Sequence, residues 1–332
     1  MARVGMNPAR KKITEYRPAE VTAAVVTYVP HLEGYFKSRL EILKLTLLSL
    51  KEHTTVPYDL LVFDNGSCAP AINFLQNLFD NQVIDYLFLS GRNVGVEGAL
   101  KFISRAAPGK YLAYSNDDVF FYPGWLKEHL RIMNTFPRVG MVSGSPAGFS
   151  SESADQALQR FIHENENGDQ VLEFTRRVRD VVWEKDWARS TGRDVEQHLR
   201  NIQEKPHDVV TYRGVEAISG AKHFQFVASK ELVQQALPEE WHGNLMGGVV
   251  ELDHRVDSMG RLRLTTAHRL TRHIGNIMDD SIRAEAKNLG LEVEKKLHGK
   301  KKQHWLLNVP GMGRILRRVY HWLFEILHGS GS

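Results

Sequence analysis

The chain has 332 residues, with 43 Lys and Arg against 39 Asp and Glu, a formal charge of +4. Apolar residues make up 42 % and charged residues 25 %, ordinary for a globular protein and unlike collagen-like, mucin-like or wholly disordered chains. The single cysteine, Cys68, excludes an intramolecular disulfide framework and a Cys-rich zinc module, and fits a reducing, cytoplasmic compartment.

Residues 1–20 read as a polar, basic extension. No long apolar run follows, so neither a secretory signal nor a spanning helix is expected. Val21–Tyr28 then reads as a buried strand. Ser38–His53 carries Leu40, Leu43, Leu47 and Leu50 at helical spacing. Tyr58–Phe63 is a second strand, ending in the turn cluster Asp64-Asn65-Gly66-Ser67. Ala71–Phe79 is helical, Val83–Leu89 a strand, Gly95–Ala106 a helix and Lys110–Ser115 a fourth strand closed by Asn116-Asp117-Asp118. Gly124–Phe136 is helical and Val139–Ser143 a further strand. Residues of about 150–205 are polar and charged and read as a helical insertion. Strand patterns resume at Val209–Tyr212, His223–Ala228 and Arg261–Thr265, with a helix over Val249–Met259.

Strands alternating with helices predict an α/β chain with a doubly wound sheet. Ligands of such sheets bind outside the carboxyl ends of the strands. That rule lines up Asp64, Asn65, Asn93, Asp117 and Asp118 along one crevice. The adjacent acids of Asn116-Asp117-Asp118 form a hard oxygen site that suits Mg²⁺ or Mn²⁺, or else they cap the following turn. Asp64 sits where an acid takes hydroxyl or base N–H bonds from a nucleotide, in what is also an ordinary Asn-Gly turn. Gly91-Arg92-Asn93-Val94-Gly95 opens a helix but lacks the G-x-G-x-x-G spacing, which disfavours a dinucleotide dehydrogenase. Glu251 and Asp253, with Arg255, are spaced unlike a surface ladder and read as acids presented at a cleft, either one a candidate general base, or as acids favoured at a helix N-terminus. His273, beside Gly275 and Asn276, is a candidate metal ligand.

In this order the pieces resemble glycosyltransferases of the GT-A fold, and are most similar to inverting family 2 enzymes of bacteria. The resemblance rests on Val26-Thr27-Tyr28, Leu47-Leu48-Ser49-Leu50, Val62-Phe63-Asp64-Asn65-Gly66-Ser67, Arg92-Asn93-Val94-Gly95, Asn116-Asp117-Asp118 and Phe121-Tyr122-Pro123-Gly124-Trp125-Leu126. It covers Val21–Pro146 and, more loosely, Gly214–Asn276. It implies a Rossmann-like mixed sheet in a GT-A domain over residues 21–277, with a helical basic tail over 278–332. It implies a hexosyltransferase-like reaction that moves a sugar, with inversion, from a UDP, GDP or dTDP sugar to an acceptor hydroxyl. Thr27, Tyr28, Asp64, Asn93, Asn116 and Asp117 would meet the nucleotide, and Asp118 and His273 would hold a divalent metal. The family's E-D element aligns with Gly248-Val249, so the base is expected at Glu251 or Asp253.

His223, Trp241 and His242 lie where the family builds its acceptor side, and a bacterial surface polysaccharide or lipid-linked glycan is the implied context. The tail joins Lys295, Lys296, Lys300, Lys301 and Lys302 to Trp305, Trp322 and Phe324, a pattern suited to an anionic membrane surface at the inner face or to a helix that packs on its own domain with solvated lysines. No nucleic-acid motif accompanies it, and no nucleic-acid partner is expected. Two other readings are a degenerate GT-A domain that binds a nucleotide sugar or glycan without catalysis, and a nucleotidyltransferase. The latter would show a basic Gly-rich loop after the first strand, where Val29-Pro30-His31-Leu32-Glu33-Gly34 stands.

Overall fold

The computed structural model describes residues 17–148, 155–165, 172–239, 249–291 and 318–319. Two compact units divide the chain, residues 1–293 and 294–332. Trp241, His242 and the basic tail lie outside the described residues, apart from Arg318 and Val319.

The first unit opens with β1 (Val21–Thr27), α1 (Arg39–His53), β2 (Tyr58–Asp64), α2 (Ala69–Asp80), β3 (Tyr86–Leu89), α3 (Gly95–Ala106) and β4 (Tyr111–Asn116). β1 is flanked by β2 and β4, and β2 by β3, all in parallel. Its residues alternate between two cores, as the pleat requires. Ala23 and Val25 pack with Leu43, Leu47 and Leu50 of α1, whereas Ala24 and Val26 pack with Ala99, Leu100 and Ile103 of α3. Helices on both faces are the doubly wound arrangement expected from the sequence.

The second half widens the sheet. It holds β5 (Val119–Phe121), α4 (Trp125–Thr135), β6 (Val139–Ser143), α5 (Gln156–Asn165), β7 (Leu172–Arg177), α6 (Val181–Ser190), α7 (Val195–Ile202), β8 (His207–Tyr212), β9 (Val215–Ser219), β10 (Gln225–Ser229), α8 (Lys230–Ala236), α9 (Val249–Ser258), β11 (Leu262–Thr266), β12 (Thr271–His273) and α10 (Asp280–Asn288). The ten-stranded sheet runs β3-β2-β1-β4-β10-β6-β11-β9-β8-β7. β10 is antiparallel to both β4 and β6, which makes the sheet mixed.

Three features depart from the sequence reading. The insertion is not wholly helical, because β7 pairs with β8 and extends the sheet. A hairpin turn at Arg213-Gly214, both at positive φ, joins β8 to a strand β9 that the reading passed over. Ile42 and Leu45 of α1 pack against Ile282 and Ala286 of α10, so α1 is buried on two faces and α10 belongs to the body.

His129 of α4 is fully buried, with Nδ1 2.7 Å from the Trp125 carbonyl and Nε2 3.3 Å from Gln225 Oε1. Burial pushes its imidazole down to about 4 despite those two bonds. The unfolded chain takes up a proton below pH ~6.5 that the folded chain refuses, so this contribution is intact above that pH and is lost as the pH falls. A loss of about 2 kcal/mol by pH 5 is expected from this residue. Urea unfolding at pH 7.5 and pH 5 checks it, since His129→Gln should show the smaller drop between the two.

Candidate functional site

Three parallel strands end side by side, and the polar residues just beyond them form the site. Thr27 closes β1 in register with Asp64 of β2, and the Asn65 N–H donates to the Thr27 carbonyl at 2.8 Å. On the other side Val26 is in register with Asn116 of β4. Asp64 is fully buried. Its Oδ2 accepts from the N–H groups of Gly66 (3.3 Å) and Ser67 (3.1 Å), while its Oδ1 is buried with no protein partner. A buried carboxylate oxygen without a donor costs free energy unless something supplies one. Asn65 braces the facing loop, accepting from the Val94 N–H at 2.8 Å and donating to the Gly95 carbonyl at 3.2 Å. Asn93 accepts from the Gly95 N–H at 2.8 Å at the start of α3. The two loops approach so closely that a Cβ at Gly66, which sits at φ +90°, would lie 3.0 Å from the Arg92 backbone.

Asn116, Asp117 and Asp118 follow β4. The Asn116 N–H donates to the Phe224 carbonyl, and its side-chain oxygen accepts from the Tyr114 hydroxyl at 2.8 Å. Both carboxylate oxygens of Asp117 are engaged within the protein. Its Oδ2 accepts from Thr27 Oγ1 at 2.7 Å and from the Tyr28 N–H at 3.3 Å, and its Oδ1 pairs with the Arg39 guanidinium. Arg39 also donates to Asp118 Oδ2 at 3.0 Å and to the Gly275 carbonyl at 3.3 Å. Burial, partly offset by Arg39 and reinforced by the Asp118 charge, raises the Asp117 carboxyl. Burial works the same way on Asp118, but His273 and Arg39 outweigh it and hold that carboxyl below the usual range.

His273 reaches Asp118 through a small two-stranded sheet. β12 pairs with β5 so that His273 lies opposite Val119, and the Ile274 N–H donates to the Asp118 carbonyl at 2.8 Å. His273 Nε2 is 3.5 Å from Asp118 Oδ2, and its Nδ1 is 2.9 Å from Ser190 Oγ. A hydrogen bond at the far ring nitrogen is how ligand imidazoles are oriented. Asp118 Oδ1 is buried with no protein partner. An unpartnered carboxylate oxygen and an oriented imidazole are donors of the kind a divalent ion such as Mg²⁺ or Mn²⁺ takes. Among the described residues no group of three acids, His or Cys converges as a self-sufficient metal cage.

The insertion forms one wall. Glu184 of α6 is buried and accepts from the Gly148 N–H (2.9 Å), from His198 Nε2 (2.8 Å) and from Arg179 Nη1 (2.9 Å). Asp186 pairs with Arg269 at 2.7 Å and Arg272 at 3.2 Å. Trp187 packs at 5.5 Å from the Phe224 ring and 5.4 Å from the His273 ring. Burial and the nearby Arg179 push the Lys222 ammonium down to about 7, and its Nζ donates to the Gly148 carbonyl at 3.0 Å.

The two candidate bases on α9 part company. Glu251 lies on the exposed side and binds Arg255 at 2.7 and 3.0 Å, four residues on, which is the surface ladder that the sequence reading set aside. Asp253 is buried, 2.9 Å from His223 Nδ1 and 3.1 Å from Arg263 Nη2. Sequence reasoning missed Arg39, Ser190 and Trp187. Arg39 left one trace: a cation in the first turn of a helix, where the macrodipole disfavours it, needs an anionic partner.

Residues 35–186 match the family model described as Glycosyl transferase family 2. The matched segment is a little under half of the chain and runs from the loop after β1 into α6. Among solved structures the chain is similar to TarS (residues 1–349) of S. aureus at 10 % identity and TM-score 0.44, over 76 % of this chain and 60 % of that one. It is also similar to the mannosyltransferase PcManGT of Pyrobaculum calidifontis, solved with GDP-Man and Mn²⁺, at 14 % identity and TM-score 0.44, over 83 % of this chain and 64 % of that one. The chain thus spans less than two thirds of the length of either structure. No curated protein matches the sequence significantly.

Removing one partner from a buried ion pair strands the other charge, at a typical cost of about 3–5 kcal/mol. Arg39→Met is therefore expected to lower the unfolding free energy by about 3 kcal/mol, and adding Asp117→Asn to recover part of it. Urea titration of the single and double variants measures both effects.

Proposed function

We propose that this family 2-type chain transfers a sugar from a nucleotide-diphosphate sugar to an acceptor hydroxyl, with inversion. The observation that carries the reading is the pair of buried, unpartnered carboxylate oxygens, Asp64 Oδ1 and Asp118 Oδ1, at the carboxyl ends of β2 and β4 on either side of β1. One suits a donor group on the base or ribose, and the other suits a cation at the diphosphate. Thr27, Tyr28, Asn93 and Asn116 surround the same strand ends and would line the nucleotide. Mg²⁺ or Mn²⁺ held by Asp118 and His273 would supply charge neutralisation of the departing diphosphate.

The chain's own residues do the positioning. Arg39 fixes both aspartates and keeps a positive charge beside them, where a diphosphate would develop negative charge. Ser190 holds the His273 ring, and Trp187 closes the wall beside it. An acceptor hydroxyl that attacks the anomeric carbon opposite the leaving diphosphate gives inversion in one displacement. The proton of that hydroxyl needs a base on the β10–α9 side.

The acceptor class we propose is a glycan or lipid-linked glycan of bacterial surface polysaccharide. The basic, aromatic tail from Lys295 onward supports attachment at the inner membrane face. Among the described residues no helix is long and apolar enough to cross a membrane.

Asp118→Asn and His273→Ala are each expected to lower donor hydrolysis in Mn²⁺ by at least about tenfold, and EDTA to act likewise on the wild type. Unchanged rates in EDTA would exclude the metal role. Asp64→Asn should weaken nucleotide binding by about tenfold, read by calorimetry across UDP, GDP and dTDP. For the tail, sedimentation with phosphatidylglycerol vesicles should pellet the full chain but leave a chain ending at residue 294 in solution. Equal partitioning of the two would refute the attachment.

A further inference from the structure

His223 and Asp253 form a pair that neither the nucleotide nor the metal reading uses. Asp253 is the buried member and is held from a second side by Arg263, which is itself buried. His223 is the open member, its side chain 40 % exposed, with Nδ1 2.9 Å from Asp253 Oδ2. A carboxylate can only accept, so Nδ1 carries a proton, and in the neutral ring the lone pair is then on Nε2. The tautomer a base requires is therefore set by Asp253.

The position is also right. His223 directly precedes Phe224, whose carbonyl accepts from the Asn116 N–H and whose ring lies 5.3 Å from that of His273. His273 Nε2 is in turn 3.5 Å from Asp118 Oδ2. His223 is thus one residue along the chain from a ring that packs on His273, beside the end of β4. Neither acid of α9 is as well placed: Glu251 is engaged with Arg255 on the exposed side, and Asp253 is covered by His223 and Arg263.

We propose that His223 is the general base of the transfer and that Asp253 is its positioning residue, an inference that rests on the transferase reading above. In the step, Nε2 takes the hydroxyl proton as the acceptor oxygen bonds to the anomeric carbon. The bond from that carbon to the diphosphate oxygen breaks, and the nucleoside diphosphate leaves with the electron pair. With water as acceptor, the same step yields free sugar and nucleoside diphosphate.

The test uses the full chain with Mn²⁺ and UDP-, GDP- and dTDP-sugars, water serving as acceptor. On the donor that the wild type hydrolyses, His223→Ala is expected to lower kcat at least ~100-fold while leaving KM for the donor within about twofold. Added imidazole should restore part of that rate, a rescue that a purely structural role does not predict. His223→Gln should lose rate equally and unfold at the wild-type temperature. Asp253→Asn should lower kcat with KM kept, without rescue. Wild-type hydrolysis in either His223 variant, or a loss that imidazole does not relieve, overturns the assignment while donor binding leaves the transferase reading standing. A wild-type chain that binds none of the three donors overturns that reading and the base together.

Discussion

The placement of one guanidinium organises this site. Two aspartates in succession at a buried strand end repel each other and lose hydration, and both effects oppose their charging. Arg39 answers both by bridging Asp117 and Asp118 from the first turn of α1. The bridge constrains more than charge. It ties the loop after β1 to the turn after β4, and through the Gly275 carbonyl it also ties both to the segment after β12. Thr46 of the same helix donates to the Asp117 backbone carbonyl at 2.9 Å, so α1 holds that turn at two points.

The insertion depends on the same end of the sheet. Its buried Glu184 satisfies three donors, and its Asp186 satisfies two arginines of the β11–β12 region. Such pairs fix geometry more than they add stability, because desolvation offsets much of their attraction. What they fix is the approach of Trp187 and Ser190 to His273. Gly148 makes room for this: a Cβ there would lie 2.4 Å from the Trp187 ring, at a φ of +79° that side chains rarely adopt. The wall is thus specified by one glycine and a few ion pairs.

The first half of the fold was legible in the sequence because β1, β2 and β4 are buried on both faces and read as continuous apolar runs. The strand-end rule then gathered Asp64, Asn93, Asp117 and Asp118 without any partner being known. What escaped was long-range. β7 is a polar edge strand, and β5 and β12 are three residues each, too short for a periodicity to declare itself. The ion pair of Asp117 escaped because its partner, Arg39, lies 78 residues away. The α9 acids illustrate the converse. Glu251 and Arg255 are four apart, the spacing of a surface pair, and that local rule outweighed the appeal of an acid near a Gly-Gly step.

The small sheet of β5 and β12 has a consequence for how the protein is made. It joins Asp118 to His273 across 155 residues of chain, counted as 273 − 118, with β6 through β11 built in between. Contacts of such separation carry a loop-closure cost in entropy and are slow to form. The strand that presents His273 therefore lies beyond the insertion that carries Ser190 and Trp187. A chain that stops before β12 keeps β1, β2 and β4 with their strand-end acids but lacks the partner that brings an imidazole to Asp118.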